Sequence, residues 1–240
     1  MGDDELAACA YSFDLSNLQI QKRRNHGIIP QSCNQLTLKH ITNRLNLAKP
    51  LLAYGLSFSL LLIVLYGWQD TLRYERSLIL DGDYWRLLSA HFVHLNFIHL
   101  ALNLIGWWVF LLLCGHLLSL PQISFNILML AVGISLGLLF MQPKFQWYLG
   151  FSGVLYGLLL HGSLQIAFRE QLSLGLLLFS ILILKLVLDS YTDQANASAQ
   201  LIGAPIATVA HAYGLMMGFL LSLPLLARQL SFKKNRTKNN

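Results

Sequence analysis

Six long apolar runs follow one another along the chain with little charge between them. Their bounds are Pro50–Trp68, Asn96–His116, Ile123–Met141, Ser152–Phe168, Leu172–Leu188 and Ala204–Ala227. A bilayer-spanning helix needs about 20 apolar residues, with roughly 17–25 tolerated. Buried helices of a soluble protein are the bland alternative. Composition decides against it: 55% of the residues are hydrophobic and 12% are charged, where soluble domains carry roughly 25% charge. The same figures exclude a disordered chain. The expected fold class is an all-α membrane protein with six transmembrane helices.

An even number of spans puts both termini on one side. Six of the 17 Lys and Arg residues fall in residues 1–50 and five in 228–240, which assigns that side to the cytoplasm. The net charge of +6 therefore reads as topology, and no nucleic-acid partner is expected. The loop Gln69–Leu95 is then external, with Arg73, Arg76 and Arg86 matched by Asp70, Glu75, Asp81 and Asp83. The loop Asp189–Gly203, also external, has two Asp and no Lys or Arg. Trp68, Trp85 and Trp147 fall near the outer boundary, as an interfacial belt would. Met1–Glu5 is acidic and no apolar run follows closely, so no secretory leader is expected. The organisation is a polar N-terminal extension (1–49), a six-helix domain (50–227) and a basic tail (228–240), of which Ser231–Asn240 is expected to be disordered. Cys9, Cys33 and Cys114 read as unpaired thiols, without metal-ligand spacing.

Polar groups inside a span are costly and mark function. Span two begins Asn96-Phe-Ile-His99-Leu-Ala-Leu-Asn103. Span four is preceded by Gly150 and opens at Ser152-Gly153, and span six carries His211-Ala-Tyr-Gly214-Leu-Met-Met-Gly218. All three spans run from outside to inside. At 1.5 Å per residue, His99 lies about 5 Å in, and Asn103 and His211 about 10 Å in. Span four is short, about 25 Å against a core of ~30 Å, so its start can sit at the same depth.

Together these groups suit acyl transfer. A serine hydroxyl becomes a nucleophile when a base takes its proton. His211 can be that base and can then protonate the leaving amine. His99 and Asn103, spaced i, i+4, share a helix face and can donate to an oxyanion. The Ser152 amide, at a helix N-terminus, can donate too. Spans two, four and six hold no Asp or Glu. A triad would need Asp189 or Asp193 from the outer loop, so a Ser152–His211 dyad is the expectation. Gly153 and Gly157 on span four, with Gly214 and Gly218 on span six, form small-xxx-small pairs that let two backbones approach. Span five carries none of these residues and precedes a Gly-containing loop, so it is the expected moving element for substrate entry.

Ser57, Ser59, Ser135, Ser180 and Ser222 read as backbone-bonded packing residues, and His116 and His161 as structural. His91 and His94 with His99 raise the thought of a metal, but no carboxylate is interleaved and no HExxH pattern occurs. No metal and no cofactor are expected. A transporter would show inverted repeats and broken helices in both halves, and no repeat is visible.

The motifs His99-xxx-Asn103, Gly150-x-Ser152-Gly153 and His211-xx-Gly214-xxx-Gly218, with Tyr84-Trp85-Arg86 in the outer loop, closely resemble the rhomboid intramembrane serine proteases. The resemblance covers about residues 50–227. It implies a six-helix rhomboid-like bundle, Ser152 as nucleophile and His211 as base. It also implies an oxyanion hole of His99, Asn103 and the Ser152 amide. The segments Asp83–Asn96, Gly150–Gly157 and Ala210–Gly214 look like the rhombosortase subgroup, with Tyr156 where many members have His. That subgroup implies cleavage of C-terminal Gly-Gly-type tails of exported proteins, in a bacterial inner membrane, by a site open to the periplasm. The expected partners are the lipid bilayer and a transmembrane protein substrate, and the sequence leaves the oligomeric state open. Rival readings are a general rhomboid protease and an inactive rhomboid-like binding protein. The second is disfavoured because Ser152 and His211 are both present.

Overall fold

The computed structural model describes residues 49–192 and 197–238. The extension with Cys9 and Cys33, and Asp193 in the second loop, lie outside the described residues. Nine α-helices occur among the described residues: α1 (Lys49–Leu72, passing through a 3₁₀ turn at Leu65–Trp68), α2 (Arg76–Leu80), α3 (Arg86–Ser89), α4 (Phe97–Cys114), α5 (Leu120–Met141), α6 (Ser152–Arg169), α7 (Leu172–Thr192), α8 (Ala197–Ile202) and α9 (Thr208–Lys238). Five segments are long and apolar enough to cross a membrane: Lys49–Leu72, Phe97–Leu117, Leu120–Met141, Leu172–Tyr191 and Thr208–Ala227. Their outward faces are apolar and exposed, as at Leu112 and Phe140.

Helix α6, the expected fourth span, is more polar. It packs against α9, α7, α4 and α5, and Gly153, Leu158, His161, Ser163 and Gln165 around it are all buried. A helix enclosed by protein has little lipid-facing surface to keep apolar, so it can carry polar side chains that meet partners. Ser163 Oγ donates to its own helix at Leu160 O, and His161 Nδ1 lies 2.8 Å from Ser222 Oγ.

The close contact is between α6 and α9. A Cβ on Gly214 would collide with the Gly153 carbonyl, and one on Gly218 with the Gly157 carbonyl. The four glycines thus allow backbone-to-backbone contact. On the other flank, α1 meets α4 through aromatic rings. Phe58 lies 4.6 Å from Trp107 by ring centroids and 5.0 Å from Phe151.

The loop Gln69–Leu95 folds into structure of its own. Strand β1 (Tyr74–Glu75) pairs antiparallel with β2 (Trp147–Tyr148), Tyr74 opposite Tyr148. Arg86 is buried. Its Nε donates to Asp83 Oδ2 at 2.9 Å, its Nη1 donates to the Arg73 carbonyl at 3.0 Å, and its guanidinium lies 4.5 Å from the centre of the Trp85 ring. Arg73 pairs with Glu75 at 3.0 Å.

Three boundaries correct the sequence reading. Asp189 is not in a loop, since α7 runs to Thr192. No Gly or Pro occurs between Gly175 and Gly203 to stop it, and an i, i+4 Lys185–Asp189 ion pair supports it. Most of the supposed outer loop is therefore helix, with α8 before Gly203, whose φ is +72°. Span six starts at Thr208, after Gly203 and Pro205. The tail expected to be disordered is helical to Lys238. Residues 228–238 contain neither Gly nor Pro, and basic residues favour a helix C-terminus.

Candidate active site

Ser152 is the first residue of α6. Two residues earlier, Gly150 has φ +120°, a conformation that L side chains rarely adopt. A Cβ there would also meet His99 Cε1 at 2.6 Å and Nε2 at 2.8 Å. The turn that presents Ser152 therefore needs glycine twice over. It is pinned by the Gly150 amide donating to the Ala90 carbonyl at 3.0 Å and by the Tyr148 hydroxyl donating to the Gly150 carbonyl at 2.8 Å.

His211 lies in the first turn of α9, buried, with Nε2 2.8 Å from Ser152 Oγ. The glycine contact between α6 and α9 brings the two within reach. His99 lies in the first turn of α4, where the Asn96 side chain caps the helix by accepting from the His99 amide at 2.9 Å. Asn103, one turn on, donates through Nδ2 to the His99 carbonyl at 3.0 Å. That leaves one amide proton of Asn103 for another acceptor. His99, Asn103, Ser152 and His211 all line one cavity of about 650 Å³. Such an arrangement can deprotonate a hydroxyl and place donors near a developing oxyanion.

Among the described residues no carboxylate bonds His211, and its buried Nδ1 has no partner. Asp189 is instead bound by Lys185 Nζ, at 2.7 Å from Oδ1 and 2.6 Å from Oδ2, and by the Tyr156 hydroxyl at 3.2 Å from Oδ2. In the sequence Tyr156 marks only a difference from the rhombosortase subgroup. Its ring stacks on the His211 imidazole, centroids 4.3 Å apart and planes 10° from parallel. The one signal for it was its place four residues after Ser152 on a helix. The view of α7 as a helix without site residues is also corrected, because Lys185 and Asp189 line the cavity.

The remaining histidines go elsewhere. His91 Nε2 lies 2.9 Å from Ser135 Oγ, and His94 packs its ring edge on His99 at 5.2 Å. Burial pushes both His91 and His94 down, to about 3, so each is neutral. His116 pairs with Glu170 at 2.8 Å. Among the expected packing serines, Ser59 Oγ donates to the Gly55 carbonyl and Ser222 Oγ to the Gly218 carbonyl. Cys114 is a buried free thiol.

The apolar helices and the enclosed serine–histidine pair define an integral membrane protein with a polar site inside its helical bundle. A rhomboid domain model matches residues 81–228, and the chain belongs to the rhomboid family. The "Rhomboid protease GlpG" of Serratia proteamaculans is 31% identical over 163 residues, which are 64% of this chain and 54% of that protein. The GlpG of Salmonella paratyphi A is 27% identical over 60% of this chain and 49% of its own length. The "Putative rhomboid protease YdcA" of Bacillus subtilis is 26% identical over 65% of this chain and 74% of its own. The chain spans about half the length of the GlpG relatives.

Proposed function

We infer that this protein is an intramembrane serine endopeptidase that hydrolyses a peptide bond in or near a transmembrane segment of its substrate. The observation that carries the reading is the 2.8 Å approach of Ser152 Oγ to His211 Nε2 in a cavity that also holds His99 and Asn103. Ser152 Oγ adds to the scissile carbonyl carbon as its proton passes to His211 Nε2. His99, Asn103 and the Ser152 amide receive the oxyanion. The C–N bond breaks, and the departing amine takes the proton from His211. Water then adds to the acyl-serine with His211 again as base, releasing the acid and restoring Ser152.

In this reading α6 also crosses the membrane, as the fourth of six spans. Both termini lie on the cytoplasmic side, and the cavity opens to the opposite, periplasmic side of a bacterial inner membrane. The domain limits 50–227 follow from the span reading. The substrate is a single-span protein cut near its outer boundary. The motifs shared with rhombosortases favour a C-terminal tail with Gly-Gly before its span; the general rhomboid reading takes other single-span proteins. The test is a panel of both substrate types in liposomes, with wild type beside Ser152→Ala. Cleavage of Gly-Gly-tailed substrates alone supports the subgroup, and cleavage of generic substrates alone supports the general reading. Full activity in Ser152→Ala would overturn the mechanism.

A further inference from the structure

Asp189 is 3% exposed on a helix that is otherwise apolar enough to span a bilayer. A buried carboxylate there costs free energy unless it is paired. Lys185, one turn earlier, pairs with both of its oxygens. That explains how the charge is tolerated but not what it does. Its third bond is the informative one, because Oδ2 also accepts from the Tyr156 hydroxyl, and Tyr156 stacks on His211.

In a serine triad, an acid bonded to Nδ1 orients the imidazole. Here Nδ1 of His211 has no hydrogen-bond partner among the described residues. What fixes the ring is the Ser152 contact at Nε2 and the parallel face of Tyr156. The Tyr156 ring is held in turn by its far end, at Asp189. We propose that Asp189, neutralised by Lys185, is a positioning residue for His211 that acts through Tyr156. The chain of contacts crosses three helices, with Asp189 on α7, Tyr156 on α6 and His211 on α9. Alignment of the base therefore depends on α7 being docked. A substrate helix that displaced α7 would loosen the imidazole until α7 returned. This proposal rests on the protease reading above and deepens it.

The test uses the full-length chain in detergent. Removing one partner would strand a buried charge, whereas replacing both with apolar residues is often neutral or stabilising. The main variant is therefore Lys185→Met/Asp189→Leu, beside Tyr156→Phe and the triple combination. Two readouts are taken. One is the rate at which a small fluorophosphonate labels Ser152, which needs no entry of a substrate helix. The other is the NMR shift of the His211 ring protons in histidine-labelled protein, assigned by its absence in His211→Ala. The Tyr156 ring current sets that shift whether or not the protein cleaves anything.

The expected result is labelling slowed about 10- to 100-fold in Lys185→Met/Asp189→Leu, as small misplacements of a reacting group cost. The His211 shift moves with it. The triple variant is no slower than the double, because the groups act in series. Asp189→Asn keeps an acceptor for the Tyr156 hydroxyl and is expected to retain the His211 shift. With a membrane substrate, kcat falls in the double variant while KM holds. Wild-type labelling and an unmoved His211 shift in the double variant would overturn the proposal, as would additive losses in the triple. A wild type that neither labels nor cleaves would sink the protease reading instead, and the NMR shift would still decide the positioning chain.

Discussion

Gly214→Ala adds one methyl group at the tightest helix contact near the site. The new Cβ would collide with the Gly153 carbonyl, one residue from Ser152. Backbone has no rotamer with which to escape, so the helices must separate by on the order of 1 Å to restore van der Waals distance. Overpacking of this kind costs about 1–3 kcal/mol. The larger effect falls on the site, because His211 lies one turn before Gly214 on α9. A separation of ~1 Å would stretch the 2.8 Å Ser152–His211 approach beyond hydrogen-bond range, and displacements of that size cost about 100-fold in rate. Fluorophosphonate labelling and thermal unfolding in detergent measure the two effects. Gly67→Ala is the control, because a Cβ there meets nothing within 4 Å. It should label normally. Gly214→Ala with wild-type labelling and an unchanged unfolding temperature would refute the view that backbone contact between α6 and α9 aligns the pair.

Three further variants separate the roles. Gly150→Ala combines a φ of +120° with contact on the His99 ring; kcat should fall by about 100-fold, and wild-type turnover would show that the turn does not set the oxyanion geometry. Asn103→Ala should lower kcat by about 10- to 1,000-fold with KM less affected, since donors to a developing charge act in the transition state; an effect confined to KM would reassign Asn103 to binding. His211→Ala should lose as much turnover as Ser152→Ala, and the double variant little more, because the two act as a unit; a double variant orders of magnitude worse would contradict the dyad.

Much of this architecture was legible in the sequence, for identifiable reasons. Apolar runs are long-range signals, and five of the six lie on helices long and apolar enough to cross a membrane. The exception, α6, is less apolar because it is enclosed by other helices and carries buried His161, Ser163 and Gln165. Ser152, His211, His99 and Asn103 stood out because polar groups are rare in such runs, and they line one cavity. The glycine pairs stood out by i, i+4 spacing, and they meet across α6 and α9.

What was missed depends on contacts between distant segments or on a misplaced boundary. Ending span five at Leu188 put Asp189 one residue outside it, which hid its helical pairing with Lys185. The Tyr156–Asp189 bond joins residues 33 apart, and no local pattern announces it. The β1–β2 pairing rests on two residues from each strand, too short a stretch for alternation to register. Helix α9 runs past Ala227 because a membrane boundary ends an apolar run without ending a helix.

The central claim is that Ser152 is a nucleophile activated by His211. Its most direct measurement is mass-spectrometric mapping of the adduct formed when the full chain reacts with a fluorophosphonate. The account predicts one stoichiometric adduct on Ser152, absent in Ser152→Ala and strongly slowed in His211→Ala. An unmodified Ser152 in folded wild-type protein, or equal labelling in His211→Ala, would contradict it.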